Sequence, residues 1–204
     1  MGGYKFVRGL GRMVAAVAFR AEYHGIENEP ADGGYIAFSN HTTFFDPILT
    51  ACAVKQPLYF MAKSELENVF IMRWLCKWCN VVPVRRGESD ITALRKTCDL
   101  LKDGKNVGIY PQGTRIKCKS PDPDSALAGL GLMAAKTKAT LLPITICYGK
   151  KNEKPTLFRK VHVYVGKPIS YEEYSSINER PNSKEIAVYA FTKLCSDFEN
   201  YNHD

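Results

Sequence analysis

The sequence predicts an α/β fold, a single domain with a largely parallel central sheet flanked by helices, preceded by an N-terminal amphipathic helix. Three observations predict it. Short apolar, β-rich runs recur at Tyr35–Ser39, Leu58–Ala62, Val81–Val84, Val107–Tyr110, Leu141–Tyr148 and Val161–Val165. Segments of helical period alternate with them, at Pro47–Val54, Glu65–Lys77, Asp90–Lys102, Ala126–Lys138 and Ser183–Glu199. The strand runs are nearly continuous in apolar residues, as expected of strands covered on both faces by crossover helices. Ser120-Pro121-Asp122-Pro123-Asp124 and the polar stretch from Gly149 to Lys154, with Pro155 behind it, read as loops.

Composition supports a packed core. The chain has 204 residues, 45% hydrophobic and 24% charged, enough to bury one generous domain and too apolar for disorder. No uncharged stretch approaches the ~18 residues of a membrane span. The longest, Gly33 to Phe45, is interrupted by Ser39, Asn40, His41, Thr42 and Thr43. The chain is therefore not expected to cross a bilayer.

The first twenty residues hold Lys5, Arg8, Arg12 and Arg20 and no acid. On a wheel of 100° per residue, Lys5, Arg8 and Arg12 fall within about 60° of one another. Phe6, Val7, Leu10, Met13, Val14 and Val17 occupy the opposite face. Residues 1–20 thus read as a membrane-association helix lying in the interface, and residues 21–204 as the domain proper. Three basic heads near anionic lipid would contribute roughly 3 kcal/mol, leaving the rest to the apolar face. The competing reading is a helix whose apolar face docks on its own domain. Met1-Gly2 does not signal myristoylation, because Phe6 stands where Ser or Thr is required.

A net charge of +7 favours an anionic partner: nucleic acid, a membrane surface or a phosphorylated small molecule. Interleaved aromatic and basic residues that would read bases are missing, so nucleic acid is not expected. Seven scattered cysteines, with no secretory signal before them, read as reduced thiols. Cys76-Lys77-Trp78-Cys79 is a lone C-x-x-C without a second pair or a nearby histidine, and no metal is expected there. His24, His162 and His203 read as ordinary strand and terminal residues.

Three strand ends carry chemistry-bearing clusters, where α/β sheets place their sites. After Tyr35–Ser39 comes Asn40-His41-Thr42-Thr43-Phe44-Phe45-Asp46-Pro47. Asp46 followed by Pro47 reads as an N-cap with proline at the first helical position, which explains Asp46 without catalysis. It leaves His41 unexplained. With His41 in the turn and Asp46 at the helix start, the chain can fold the two within hydrogen-bond reach, the pairing that general-base chemistry uses. The second cluster is Val82-Pro83-Val84-Arg85-Arg86-Gly87. The third is Tyr110-Pro111-Gln112-Gly113-Thr114-Arg115, where Gly113 permits close backbone approach and Arg115 offers a planar fork for phosphate.

Taken in order, Asn40-His41-x4-Asp46-Pro47, Ala62-Lys63-Ser64-Glu65-Leu66, Val82-Pro83-Val84-Arg85-Arg86-Gly87, Tyr110-Pro111-Gln112-Gly113-Thr114-Arg115 and Leu141-Leu142-Pro143-Ile144-Thr145-Ile146 resemble the motif blocks of the glycerolipid acyltransferases. Within that superfamily the chain is most similar to the compact bacterial lysophosphatidic acid acyltransferases, from about Tyr23 to Ser170. The resemblance implies acyl transfer from an acyl thioester, acyl-CoA or acyl-acyl carrier protein, to the free hydroxyl of lysophosphatidic acid, giving phosphatidic acid for phospholipid biosynthesis. It implies His41 as general base, Asp46 as its orienting partner and no acyl-enzyme. Arg86 and Arg115 would bind the acceptor phosphate, Gly113 and Thr114 would shape its pocket, and Gln112, Lys63 and Arg85 join them as substrate-binding candidates. Pro143 reads as structural. No metal or other cofactor is implied, and the expected location is the cytoplasmic face of the cell membrane, as a peripheral, monotopic protein.

The chain departs from the family pattern at several points. Gln112 stands where the family usually has Glu, and Arg85 where it often has an acid or a small residue. The family's Phe and Lys ahead of a motif glycine become Ala126 and Leu127 or Ala128 before Gly129. These changes bear on the acceptor more than on the reaction. The alternatives are therefore the same chemistry on another lysophospholipid or a lipidated amine, and, in a different class, a non-catalytic module binding anionic lipid or nucleic acid.

Overall fold

The strand runs fold as expected because their neighbours in sequence are long enough to cross over and cover them. The computed structural model describes residues 2–32, 34–63, 81–84, 90–117, 119–149, 156 and 158–201. In chain order these form α1 (Gly2–Phe19), β1 (Glu22–His24), a 3-10 turn (Ile26–Asn28), β2 (Ile36–Ser39), α2 (Asp46–Ala53), β3 (Leu58–Lys63) and β4 (Val81–Val84). There follow α3 (Asp90–Lys102), β5 (Asn106–Ile109), α4 (Gly129–Thr137), β6 (Leu141–Tyr148), β7 (Val161–Val165), α5 (Tyr171–Ser175) and α6 (Ser183–Tyr201). The expected helix over Glu65–Lys77, the Cys76–Cys79 pair and His203 lie outside the described residues.

Seven strands make one sheet in the order β1-β7-β6-β2-β5-β3-β4. Every pairing is parallel except β6 with β7. The sheet core is buried on both faces, and β2 shows how. Ile36 and Phe38 enter one apolar cluster with Cys98, Leu101, Leu130, Met133, Ala187, Phe191 and Leu194, from α3, α4 and α6. Tyr35 and Ala37 point the other way, into a cluster with Ala15, Phe19, Leu49 and Ala53, from α1 and α2. All eight residues of β6 are buried. This is why the strand runs lack a polar alternate.

Two elements were not legible. β1 has three residues of which none is fully buried, too short and too polar to stand out as a strand. α5 is a five-residue helix capped by Ser170, whose hydroxyl accepts the Glu173 N–H. Asp46 also differs from its expected role. The N-cap is Phe45, without a side-chain cap bond. The Asp46 carboxylate turns back into the preceding loop and accepts the N–H groups of Thr42 and Thr43.

α1 rests on α2. Gly11 faces Ile48 and Cys52, Ala15 and Phe19 are buried, and the Arg12 guanidinium lies 5.7 Å over the Tyr23 ring. Arg8 is half-buried on the same side, its Nε without a hydrogen-bond partner. Arg8 and Arg12 thus lie on the side toward the domain, Arg12 still exposed, while Phe6, Leu10, Met13 and Val17 form an exposed stripe, with Phe6 at 69% and Val17 at 65% exposure. Val14, of the same apolar face, is half-buried. Among the described residues, no helix is long and apolar enough to cross a membrane.

Candidate active site

The site grows from the end of β2. One residue past the strand, the Asn40 amide imitates a further rung: its Nδ2 donates to the Ile146 carbonyl and its Oδ1 accepts the Ile146 N–H, both at 2.9 Å. This locks the loop to β6 before His41 begins. The His41 main chain is then tied to the loop after β5. Its N–H donates to Gln112 Oε1 at 3.1 Å, and its carbonyl accepts the Ile116 N–H at 2.7 Å.

His41 and Asp46 meet. Nδ1 of the imidazole lies 2.7 Å from Asp46 Oδ2, with His41 mostly covered and the Asp46 side chain fully buried. Asp46 Oδ2 also accepts the Thr42 N–H at 2.6 Å and the Thr43 N–H at 2.8 Å. Oδ1 accepts the Thr43 hydroxyl at 2.7 Å and the Tyr148 hydroxyl at 2.5 Å. Every partner of the carboxylate is a donor, the arrangement that suits an ionised acid held in one orientation. A carboxylate on Nδ1 fixes the proton on that nitrogen and leaves Nε2 as the acceptor, the tautomer needed for a base.

Aromatic rings wall the imidazole. Tyr110 stacks on His41 with centroids 4.2 Å apart and planes 21° from parallel, and its hydroxyl lies 3.1 Å from Thr50 Oγ1. Burial, with the Asp46 charge adding, pushes the Tyr110 hydroxyl well above its usual range. The same two causes push Tyr148 up, so both phenols stay protonated, and Tyr148 donates to Asp46 as a neutral hydroxyl.

Gln112 is buried, and its Nε2 lies 3.3 Å from Ser125 Oγ. That hydroxyl spends its own proton on the Asp122 carbonyl at 2.5 Å, so it receives rather than gives at Gln112. An amide fits between the His41 N–H and this oxygen; a carboxylate would set acceptor against acceptor. Gly113 turns with φ at 67°, and a Cβ there would come within 2.7 Å of Leu127 Cδ1. Thr114 and Arg115 are exposed on this loop, which Ile116 fastens to the His41 carbonyl. Arg85 and Arg86 lie outside the described residues, and Lys63 is described at its backbone only.

Thr43, Tyr110 and Tyr148 were not picked out as functional from sequence. Tyr110 begins a motif block, so its position was in view. Tyr148 had no such signal: it closes β6, and only the β2–β6 pairing carries it to Asp46.

A model of the acyltransferase family matches residues 20–147, from the end of α1 through β6. The chain belongs to the acyltransferase family. The 1-acyl-sn-glycerol-3-phosphate acyltransferase of Bacillus subtilis is 26% identical over 203 residues, covering 97% of each chain. That of Streptococcus pneumoniae is 27% identical over 181 residues, 86% of this chain and 66% of the relative. The crystal structure of the 1-acyl-sn-glycerophosphate acyltransferase PlsC from Thermotoga maritima has the same fold, with a TM-score of 0.73 and 24% identity over 98% of this chain and 81% of that one. In this acyltransferase the family match spans both His41 and the Gln112–Arg115 loop.

Proposed function

We propose that this acyltransferase esterifies the free hydroxyl of lysophosphatidic acid with a fatty acyl group from acyl-CoA or acyl-acyl carrier protein, at a membrane surface. The observation that carries the reading is the 2.7 Å contact between His41 Nδ1 and the buried Asp46 carboxylate. The names borne by the two relatives over most of this chain support the acceptor.

An alcohol is a weak nucleophile at neutral pH, and a positioned imidazole contributes typically 10²–10⁴-fold by accepting its proton in the transition state. His41 Nε2 takes the acceptor's hydroxyl proton as the oxygen bonds to the thioester carbonyl carbon. The carbon–sulfur bond then breaks, and the imidazolium returns the proton to the departing sulfur as a thiol. Asp46 stabilises the intervening imidazolium and holds the ring. No covalent enzyme intermediate, metal or prosthetic group takes part. Arg115, Arg86, Arg85 and Lys63 supply positive charge to the acceptor phosphate and to the phosphate-bearing donor, while Gly113 and Thr114 shape the pocket.

The outward stripe of Phe6, Leu10, Met13 and Val17 supports residues 1–20 as a membrane-association helix. Each such side chain contributes up to about 1.5–3 kcal/mol when taken out of water. Phe44 and Phe45 are also exposed, in the His41–Asp46 turn, where Phe45 lies 5.0 Å from Phe19 at the end of α1. A substrate that stays in the lipid would thereby reach the site; the cytoplasmic face follows from the cytosolic donors.

The test is an acceptor panel with purified protein in mixed micelles and a labelled acyl thioester. Lysophosphatidic acid should be acylated, and the dephosphorylated monoacylglycerol should be at least about 10²-fold poorer in kcat/KM, the loss expected when charge-assisted contacts to a phosphate go unmade. Equal rates with both would overturn the acceptor assignment. A preference for a lyso-lipid without phosphate would establish the alternative acceptor, toward which the departures at Gln112 and Ala126–Gly129 point.

A further inference from the structure

On the edge of the sheet farthest from β4, β1 and β7 run parallel with Glu22 opposite His162 and His24 opposite Tyr164. His24 Nε2 lies 3.1 Å from His162 Nδ1, and His162 Nδ1 lies 3.5 Å from Glu22 Oε2. All three donor atoms fall within 4.8 Å of one another. Two ligands at the 2.0–2.2 Å bond lengths of zinc-class ions, set at tetrahedral angles, stand roughly 3.3–3.6 Å apart. His162 Nδ1 already stands at nearly that spacing from each of the other two donors.

We propose that Glu22, His24 and His162 form a binding site for one divalent transition-metal ion of the zinc, cobalt or nickel class, clipping the edge strand β1 to β7. Two imidazoles and a carboxylate suit those ions and not calcium or magnesium, which take oxygen ligands. Water completes the coordination on the exposed side. The cluster is distinct from the His41 site: Val161, Val163 and Val165 of β7 join the apolar cluster of α1 and α2, so His162, alternating with them, projects from the opposite face.

The surroundings restrict the ligands. The His24 ring stacks on Tyr164 at 4.6 Å, and Tyr164 stacks on Tyr201 of α6 at 3.8 Å. Lys160 Nζ holds Glu22 Oε1 at 2.6 Å and leaves Oε2 turned to His162. Binding turns the two facing nitrogens from each other onto the ion. The proton between them relocates to the far nitrogen of its own ring, so a neutral pair loses none and a protonated pair releases one. Glu22 remains ionised. Lys160 orients the carboxylate and at the same time repels the ion, so its charge should weaken the site.

The test titrates the whole chain with Co²⁺ alone, followed by visible absorption and thermal unfolding. One ion should bind with a spectrum of nitrogen and oxygen ligation and raise the unfolding midpoint. His24→Gln and His162→Gln should each weaken binding more than the roughly 10–100-fold typical of losing an outer partner of a ligand. Lys160→Gln keeps every ligand and should tighten it. Failure of the parent to bind, unchanged affinity in the histidine variants, or only thiolate-type cobalt spectra would overturn the site. Should a histidine variant fail to fold, the Lys160→Gln arm decides: unchanged or weaker binding there overturns it. Acyl transfer is not the readout, so the two proposals stand or fall separately.

Discussion

Asp46 collects its donors from both sides, and each can be removed singly. Tyr148→Phe deletes a hydroxyl that donates to Asp46 Oδ1 and lies 2.7 Å from Thr43 Oγ1. As Asp46 loses a fixed partner, kcat should fall by about tenfold. Steady-state kinetics at matched fold check this; an unchanged kcat would mean that Tyr148 only fills space. Gln112→Glu makes a different demand. It places an acceptor against Ser125, whose proton is committed to Asp122, and should destabilise the protein by about 1–3 kcal/mol in urea unfolding. The family's usual acid is thus disfavoured here by a neighbour thirteen residues away.

At the scale of elements, α1 separates docking from exposure, and substitutions on its two sides should have separable effects. Leu10→Asp with Met13→Asp should release the protein from anionic vesicles in a flotation assay while leaving its thermal midpoint unchanged, because both side chains are exposed. α6 carries a half-buried acid, Asp197, whose carboxyl burial pushes upward against the weaker pull of Lys193. A raised carboxyl in the folded state means that the folded form binds the proton more tightly. The contribution of Asp197 to stability is then greatest below the ordinary carboxylate value and is lost as pH climbs through the raised one. Asp197→Asn should therefore raise the unfolding midpoint at pH 7 and change it little near pH 3, measured by calorimetry at both.

The elements also show what a sequence does and does not carry. The runs of β2, β5 and β6 were legible because each is buried on both sides and so nearly pure in apolar residues. The α1 wheel correctly separated apolar from basic residues but could not say which side meets the protein. That depends on which face α2 meets: Ile48 and Cys52 come up against Gly11, a contact between elements that a single helix's wheel does not contain. The backward turn of Asp46 was hidden for a similar reason. Asp before Pro is an ordinary helix start, and only the curl of residues 41–45 makes its carboxylate face Thr42 and Thr43 instead.

For the whole molecule, strand order does the assembling. β2 lies between β6 and β5, so the loops that follow these three strands converge, bringing His41, the Gln112–Arg115 segment and Tyr148 together from positions up to 107 residues apart. The central position of β2 makes its core contacts expensive to lose: Phe38→Ala should cost about 3–5 kcal/mol in denaturant unfolding. The candidate base and acid were legible because they share one short segment, whereas Tyr148 is close only through the register of β2 on β6. Turnover of acyl thioester with lysophosphatidic acid by His41→Ala, against the parent at matched fold by circular dichroism, tests the central claim most directly. A drop in kcat of about 10²–10⁴-fold is predicted. Undiminished turnover would contradict the assignment of His41 as the base.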